Sequence, residues 1–524
     1  MTEGDARQEV SPFGLTRRAF VGAGLAAAAL RGIPGWAQDG ELTARVGAAA
    51  TEAVPEDYLG LSYETMQLAD PDFFAPDNAS LIAIFKTLSP RGILRIGGNS
   101  SEFCWWKASG NETAPRSPAH KGDSNWMPHT FTAIGPQAVD NLAGFLEAAG
   151  WRAIYGLNLG TGTPERAARE AAYVAKALGP RLQFFQIGNE PEFYKNANNG
   201  LRGPDWDFDR YLAQWLSFAH AVIAQVPGAR FGGPDVGSNT EWVVRFAAEA
   251  PRRLPGRIVA CTGHYYAEGP PDDPRVTVAR LLGPDPRVDR DVPRMAAAAR
   301  QAGIEWRMTE GNSCYRGGKP GMSNAFCAAL WAADYLLKLA ADGAAGVNLH
   351  GGGTKQIRAS LGGHLPGEKL SAKAAMEAQE GSFYTPVAGS REHGFTARPV
   401  FYGMKLAGVV AGGRMRTVTP GVDAARATAY AADFANGGTR MVVINKDQEM
   451  PLDVAVKANG VARVWRLEAP SLTAISDVTL AGARLEAAPW KPLRVEHLAA
   501  EMGVLRIRLK PASAAAVLLE TRLS

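Results

Sequence analysis

The sequence predicts an α/β chain, a (β/α)8 TIM barrel with a C-terminal all-β sandwich. Three observations carry this. Eight short apolar runs rich in β-branched and aromatic residues occupy 59–66, 92–99, 153–159, 182–189, 229–236, 258–266, 304–309 and 345–350. Between them lie segments of helical spacing, at 136–149, 164–179, 207–226, 292–302 and 323–341. After about residue 411 that spacing almost vanishes. Alternating strand and helix units imply a parallel sheet, and eight of them suggest a closed barrel. A doubly wound nucleotide-binding sheet has no support, because Arg95-Ile96-Gly97-Gly98-Asn99 lacks the spacing of a phosphate loop.

The barrel is expected over 59–411. Beyond it, 427–434, 440–445, 452–456, 461–467, 504–509 and 514–519 are short, alternating and punctuated by turns, as in a β-sandwich over 412–524. Residues 38–58 are also non-helical and are expected to lend that domain a strand. The N-terminus reads as an export signal. Arg17-Arg18 precede the uncharged run 19–30, too short to span a bilayer, and Gly35-Trp36-Ala37 offers a small-x-small cleavage site. Residues 1–37 are thus expected to be a twin-arginine signal directing a folded protein to the periplasm or beyond.

Composition is that of an ordinary globular protein, 46% hydrophobic and 21% charged. A net charge of +4 over 524 residues gives no reason to expect nucleic acid, and outside the signal no segment is apolar enough to cross a membrane. The four cysteines, Cys104, Cys261, Cys314 and Cys327, are too few for a secreted disulfide framework. A chain folded in a reducing cytoplasm before export should keep them as thiols, with a Cys314–Cys327 pair as the alternative.

Catalytic groups of such barrels gather at the C-terminal ends of the strands. Glu190 ends the fourth run and Glu310 the seventh, so both face one mouth. Two carboxylates flanking a glycosidic bond are the working parts of glycoside hydrolysis, one protonated to assist the leaving group and one ionised to attack. Asn189, immediately before Glu190, is placed to hydrogen-bond a sugar hydroxyl. His264-Tyr265-Tyr266 ends the sixth run. The Asn-Glu pair, the second Glu and Tyr266 resemble the retaining glycosidases of the barrel superfamily, in which a Tyr at that place hydrogen-bonds the nucleophile.

Three longer stretches, Leu94 to Ser100, Gln186 to Pro191 and Glu310 to Gly318, resemble glycoside hydrolase family 79, the family of heparanases and microbial β-glucuronidases. The resemblance covers roughly 41–524. It implies a retaining exo-β-glucuronidase, with Glu190 as acid/base and Glu310 as nucleophile. It implies that Tyr315 and the backbone at Gly317 hold the uronic acid carboxylate, and that Glu64, Asn99, His350 and Tyr384 contact the sugar. A phenol and backbone donors bind a carboxylate without placing a cation beside the nucleophile. Trp105, Trp106 and Trp126 are either sugar-stacking walls or packing under the second and third loops.

The sequence departs from that family twice. Arg316 adds a charge to the carboxylate loop, pointing to a sulfate or a second acidic sugar. The segment 351–397 is longer than the eighth loop of animal heparanases, favouring a walled exo site. An endo-acting, heparanase-like hydrolase of acidic polysaccharide is the alternative, and a non-catalytic carbohydrate-binding barrel a further one. The first strand lacks paired histidines, so neither metal nor cofactor is expected. The expected partner is a saccharide bearing glucuronic acid, with no membrane involved in the mature form.

Overall fold

The computed structural model describes residues 42–523 apart from 51, 116–130, 197–199, 361–375, 379, 420–425 and 486–488. The signal segment 1–37, Trp126 and residues 361–375 of the eighth loop lie outside the described residues. All eight expected runs are strands of one closed parallel barrel: Leu59–Glu64, Ile93–Gly97, Arg152–Leu157, Leu182–Ile187, Phe231–Val236, Ile258–Glu268, Glu305–Cys314 and Gly346–Gly351. They are numbered one to eight here in chain order.

Local chemistry sets the helix ends. Pro136–Ala149 starts with proline at its first turn and stops at Gly150, whose φ of 77° is left-handed. Thr163 caps Pro164–Leu178 by accepting from the Arg166 N–H. One helix is longer than the periodicity predicts, Pro286–Ala302 rather than 292–302, because Asp285 caps it and Pro286 begins it. The apolar pattern misses this first turn, which is Pro-Arg-Val-Asp and mostly solvated. Among the described residues no helix is long and apolar enough to cross a membrane.

Strands six and seven carry the site and run past the mouth, to Glu268 and Cys314. They pair in parallel with Glu310 opposite His264 and Asn312 opposite Tyr266, after a register shift between Met308 and Glu310. Strand eight closes on strand one with His350 opposite Ser62.

The C-terminal strands form one ten-stranded, mostly antiparallel sheet. Leu42–Ala49 joins it between Arg414–Thr419 and Leu452–Lys457. Ala431 and Met441 share a core with Val454, Leu505 and Ile507 from the far end of the strand order, so the sheet curls on itself. Helix Phe326–Ala341 is buried on nearly every side between barrel and sheet. Its Asp334 accepts hydrogen bonds from Thr428, Tyr430 and Lys446, tying the two units together. All four cysteines are free and buried, with no Cys314–Cys327 bond.

Candidate active site

Just past Ile187, strand four runs into Gly188, whose φ is 87°. A Cβ there would lie 2.9 Å from Leu159 Cδ2 and 3.0 Å from the Tyr194 hydroxyl, so only glycine fits. Glu190 then takes a left-handed backbone, φ 47° and ψ 50°, that a non-glycine residue adopts at a cost of about 1–3 kcal/mol. Its N–H donates to Asp235 O at 2.9 Å, and Pro191 opens a 3-10 turn. The strain turns the Glu190 carboxyl to the mouth, where its side chain is 20% exposed. An ionisable group in this sharp break is therefore built in.

Across the mouth, Glu310 is buried and both its oxygens are occupied. Tyr266 donates to Oε1 at 2.8 Å and Arg95 to Oε2 at 2.5 Å. Burial pushes its carboxyl up, but His350, His264 and Arg95 together overcome this and hold it down at about 2. Glu310 is ionised at neutral pH. His264 links the two carboxylates' surroundings: Nδ1 faces Glu190 Oε1 at 3.0 Å and Nε2 faces Asp235 Oδ1 at 3.1 Å. Burial pushes His264 down, but Asp235 and Glu310 raise it to about 10. Both of its ring nitrogens thus carry protons and donate.

Arg95 is the centre of the polar layer beneath. Besides Glu310 it donates to Asp235, to Asn189 Oδ1 at 2.8 Å, to Gln186 Oε1 at 3.1 Å and to the Ser62 hydroxyl at 3.2 Å. Burial pushes Asp235 up, yet Arg95 and His264 hold it well below the usual carboxylate range. Glu102, also buried, accepts from the Asn189 N–H at 2.7 Å and the Tyr194 hydroxyl at 2.6 Å, fixing the chain that carries Glu190.

Glu190, Glu310 and Tyr266, backed by this layer, border a cavity of about 450 Å³, within the usual range of small-ligand pockets. Of the expected site residues, Glu64, Asn99, Glu190, Tyr266, Glu310, Tyr315, His350 and Tyr384 line it. Glu64 is held by the Ser100 N–H and hydroxyl at 2.8 and 2.6 Å. His350 sits between the Ser62 hydroxyl at 2.9 Å and Glu64 Oε1 at 3.4 Å. Tyr384 packs against the rings of Tyr266 and His350.

Two expected residues lie behind the lining. Asn189 is buried between Arg95 and Asn99, donating to Asn99 Oδ1 at 3.0 Å. Gly317 is buried with φ 86°, and its carbonyl accepts from the Tyr384 N–H at 3.3 Å. Arg316, Arg287 and Ser360 join the wall. Trp105 and Trp106 take the packing role: they are buried under the Arg166 guanidinium and against Tyr173, away from the cavity.

The residues that sequence reasoning passed over are Arg95, Asp235, Glu102 and Gln186. Arg95 left a signal, as the one charge inside the apolar run Ile93–Gly97. Glu190, His264 and Glu310 also bring ligand atoms within 4.8 Å of one another. A protonated His264 beside the Arg95 guanidinium makes this an unfavourable place for a further cation.

No family model matches the chain. Among curated proteins it is similar to a β-glucuronidase of Aspergillus niger, 24% identical over 510 residues, 86% of this chain and 87% of that one. A β-glucuronidase of Neurospora crassa is 26% identical over 294 residues, 51% of each chain. Among solved structures, a 4-O-α-L-rhamnosyl-β-D-glucuronidase from Fusarium oxysporum superposes with a TM-score of 0.69 at 17% identity, covering 91% of this chain and all of that one. An α-L-arabinofuranosidase from Thermotoga maritima reaches 0.59 at 15% identity, with 91% of this chain and 100% of that one covered. The fold is that of the barrel glycoside hydrolases that carry a β-domain, and two carboxylates meet at its mouth.

Proposed function

We propose that the chain is a β-glucuronidase, a retaining and exo-acting glycoside hydrolase that releases terminal β-linked glucuronic acid. One observation carries the proposal: an ionised Glu310 faces Glu190 across a sugar-sized cavity, with oxygens of the two carboxyls within 4.8 Å. Retention needs carboxyl groups about 5–5.5 Å apart, whereas inversion needs about 6.5–9.5 Å to admit a water. The spacing favours retention.

Glu310 attacks the anomeric carbon while Glu190 gives its proton to the leaving oxygen. Glu190 then takes a proton from the water that breaks the glycosyl ester, and the β configuration is restored. Tyr266 and Arg95 aim the Glu310 oxygens. His264 donates to Glu190 and steadies it as its charge changes. Glu64, Asn99 and His350 meet the sugar hydroxyls from the cavity wall, and Asn189 orients Asn99 from behind.

The uronic acid carboxylate is received at the turn 315–317, where Tyr315 and Arg316 line the cavity and supply a phenol and a cation. The exo mode follows from the long eighth loop, since Ser360 and Tyr384 bring parts of it into the wall. Export through the twin-arginine segment 1–37 belongs to the same proposal and is compatible with four buried free thiols. The test is digestion of a uronic-acid polysaccharide beside an aryl β-glucuronide and an aryl β-glucoside. The expected result is a strong preference for the glucuronide and monosaccharide from the first minutes. Equal rates on both aryl sugars, or early mid-sized oligosaccharides, would contradict it.

A further inference from the structure

A crevice lined by two indole rings lies at the opposite end of the barrel from the catalytic mouth. It encloses about 680 Å³ between the barrel's lower rim and one face of the C-terminal sheet. Leu59, the first residue of strand one, and Ser89–Arg91, just before strand two, lie in its wall. Glu64 and Asn99, at the other ends of those strands, belong to the active site. The two places are separated by the length of a barrel strand, about 20 Å.

The sheet supplies a regular array of side chains to this crevice. Arg440 and Arg463 are both cross-strand partners of Leu518, from the strands on either side of it, so they share one row and one face. Trp465, two residues beyond Arg463, projects from that same face. It meets Trp490 edge to face, ring centroids 5.4 Å apart, and Lys405 Nζ lies 5.5 Å from the Trp490 ring centre.

This array is under-neutralised. Among the described residues Lys405, Arg440 and Arg463 have no carboxylate partner: Lys405 and Arg440 donate only to the carbonyls of Leu88 and Val409. Burial and the neighbouring Arg463 both push Arg440 down, and burial alone lowers Lys405 to about 8. Trp490 Nε1 is buried without an acceptor. The acid Glu56 in the wall is already paired with Arg91.

The crevice also continues at both ends. A hollow of about 470 Å³ shares Lys405 and Trp490 with it and adds Lys86. Another of about 400 Å³ shares Arg440, Arg463 and Leu518, and adds Glu520. A string of hollows floored by indole rings and spaced cations suits an extended chain whose units have an apolar ring face and a carboxylate.

We propose that this crevice is a second, non-catalytic binding site for a uronic-acid-bearing oligosaccharide, holding the polymer on the face away from the mouth. The proposal rests on the glucuronidase reading for the identity of the sugar, while the site itself rests on the array. Carboxylates pair with Arg440, Arg463 and Lys405, and sugar faces lie on Trp465 and Trp490.

The test is calorimetric titration of the full-length Glu310→Gln chain with an oligosaccharide of glucuronic acid, and with a neutral oligosaccharide of equal length. Two equivalents of the acidic oligosaccharide are expected. Arg463→Ala, at an exposed and unpaired position, should weaken one of them at least tenfold, the loss of a charge-assisted hydrogen bond. Arg463→Lys should restore part of it. In the otherwise unaltered enzyme, Arg463→Ala should leave kcat/KM for an aryl β-glucuronide unchanged and raise KM for the polysaccharide. Binding of one or two equivalents that is indifferent to Arg463→Ala, or equal uptake of the neutral sugar, would overturn the site. A chain inert on aryl glucuronides that still shows Arg463-dependent uronate binding would remove the glucuronidase reading and leave the site standing.

Discussion

Arg95 donates from Nη1 to Oε2 of Glu310 at 2.5 Å, and both side chains are shut away from solvent. The same guanidinium holds Asp235 and Asn189, so one cation neutralises Glu310's side of the site and positions the residue next to Glu190. Burying charge is tolerable only when it is paired and fully hydrogen-bonded, and Arg95 makes five such bonds in one layer.

Arg95→Met should therefore cost about 3–5 kcal/mol of stability, because Asp235 and Glu310 would be left buried without their cation. Arg95→Lys keeps the charge but not the fork that reaches Glu310 and Asn189 together, so it should fold and lose activity. Denaturant unfolding of both variants beside kcat/KM checks this. Wild-type stability in Arg95→Met would show that the layer is not held by the guanidinium.

A second prediction concerns stability against pH. Glu170 is buried under Tyr155, which donates to it at 2.8 Å, and burial raises its carboxyl from 4.5 to about 7. A raised carboxyl contributes stability that is complete below about 4.5 and is lost as pH rises through about 7. The shift corresponds to about 3 kcal/mol at one pKa unit per roughly 1.4 kcal/mol. Glu170→Gln, which keeps an acceptor for Tyr155, should raise Tm at pH 8 and leave it nearly unchanged at pH 4.5. Equal effects at both pH values would rule out titration of Glu170 as the cause. Glu310 has the opposite sign: its lowered carboxyl adds stability above the ordinary carboxylate range, and that is lost only as pH falls towards about 2.

The barrel was legible because each strand is a compact apolar run and each helix keeps its period, and nearest-neighbour chemistry decides both. Glu190 and Glu310 were legible because each breaks the pattern at a strand end. Arg95 and Asp235 were not, although Arg95 interrupts an apolar run. Their worth depends on a contact spanning 140 residues of sequence, which no local pattern encodes. Asn189 was legible as the neighbour of Glu190, but its place behind the cavity lining was not, since its amide is drawn back by Arg95 and Asn99. Trp105 and Trp106 fell on the packing side of an open alternative for a related reason: Arg166 and Tyr173, on a later helix, cover them.

A third prediction tests how the substrate carboxylate is read. In the proposed reading Tyr315 is its neutral donor; the ring lines the cavity and stands edge-on to Tyr266 at 6.3 Å. Tyr315→Phe removes one hydrogen bond to a charged group, about 1.5–3 kcal/mol or roughly one to two decades in kcat/KM. The loss should fall on aryl β-glucuronides and largely spare aryl β-glucosides. Equal losses would mean that Tyr315 does not contact the carboxylate.

The catalytic pair gives a fourth. Glu190→Ala should lose most activity on poor leaving groups, and azide should partly restore it on activated ones by attacking the glycosyl ester in place of water, releasing the Glu310 carboxylate and a β-glycosyl azide without base assistance. No rescue on an activated aryl glucuronide would remove Glu190 from the acid/base role.

The central claim is that Glu310 attacks the anomeric carbon of a β-glucuronide. The most direct measurement is trapping with an activated 2-deoxy-2-fluoro-β-glucuronide, followed by mass spectrometry of the digested protein. One equivalent of label on the peptide carrying Glu310, with parallel loss of activity, is the predicted result. Label on Glu190, or an enzyme that turns over aryl β-glucuronides with the first product inverted and no label at all, would contradict it.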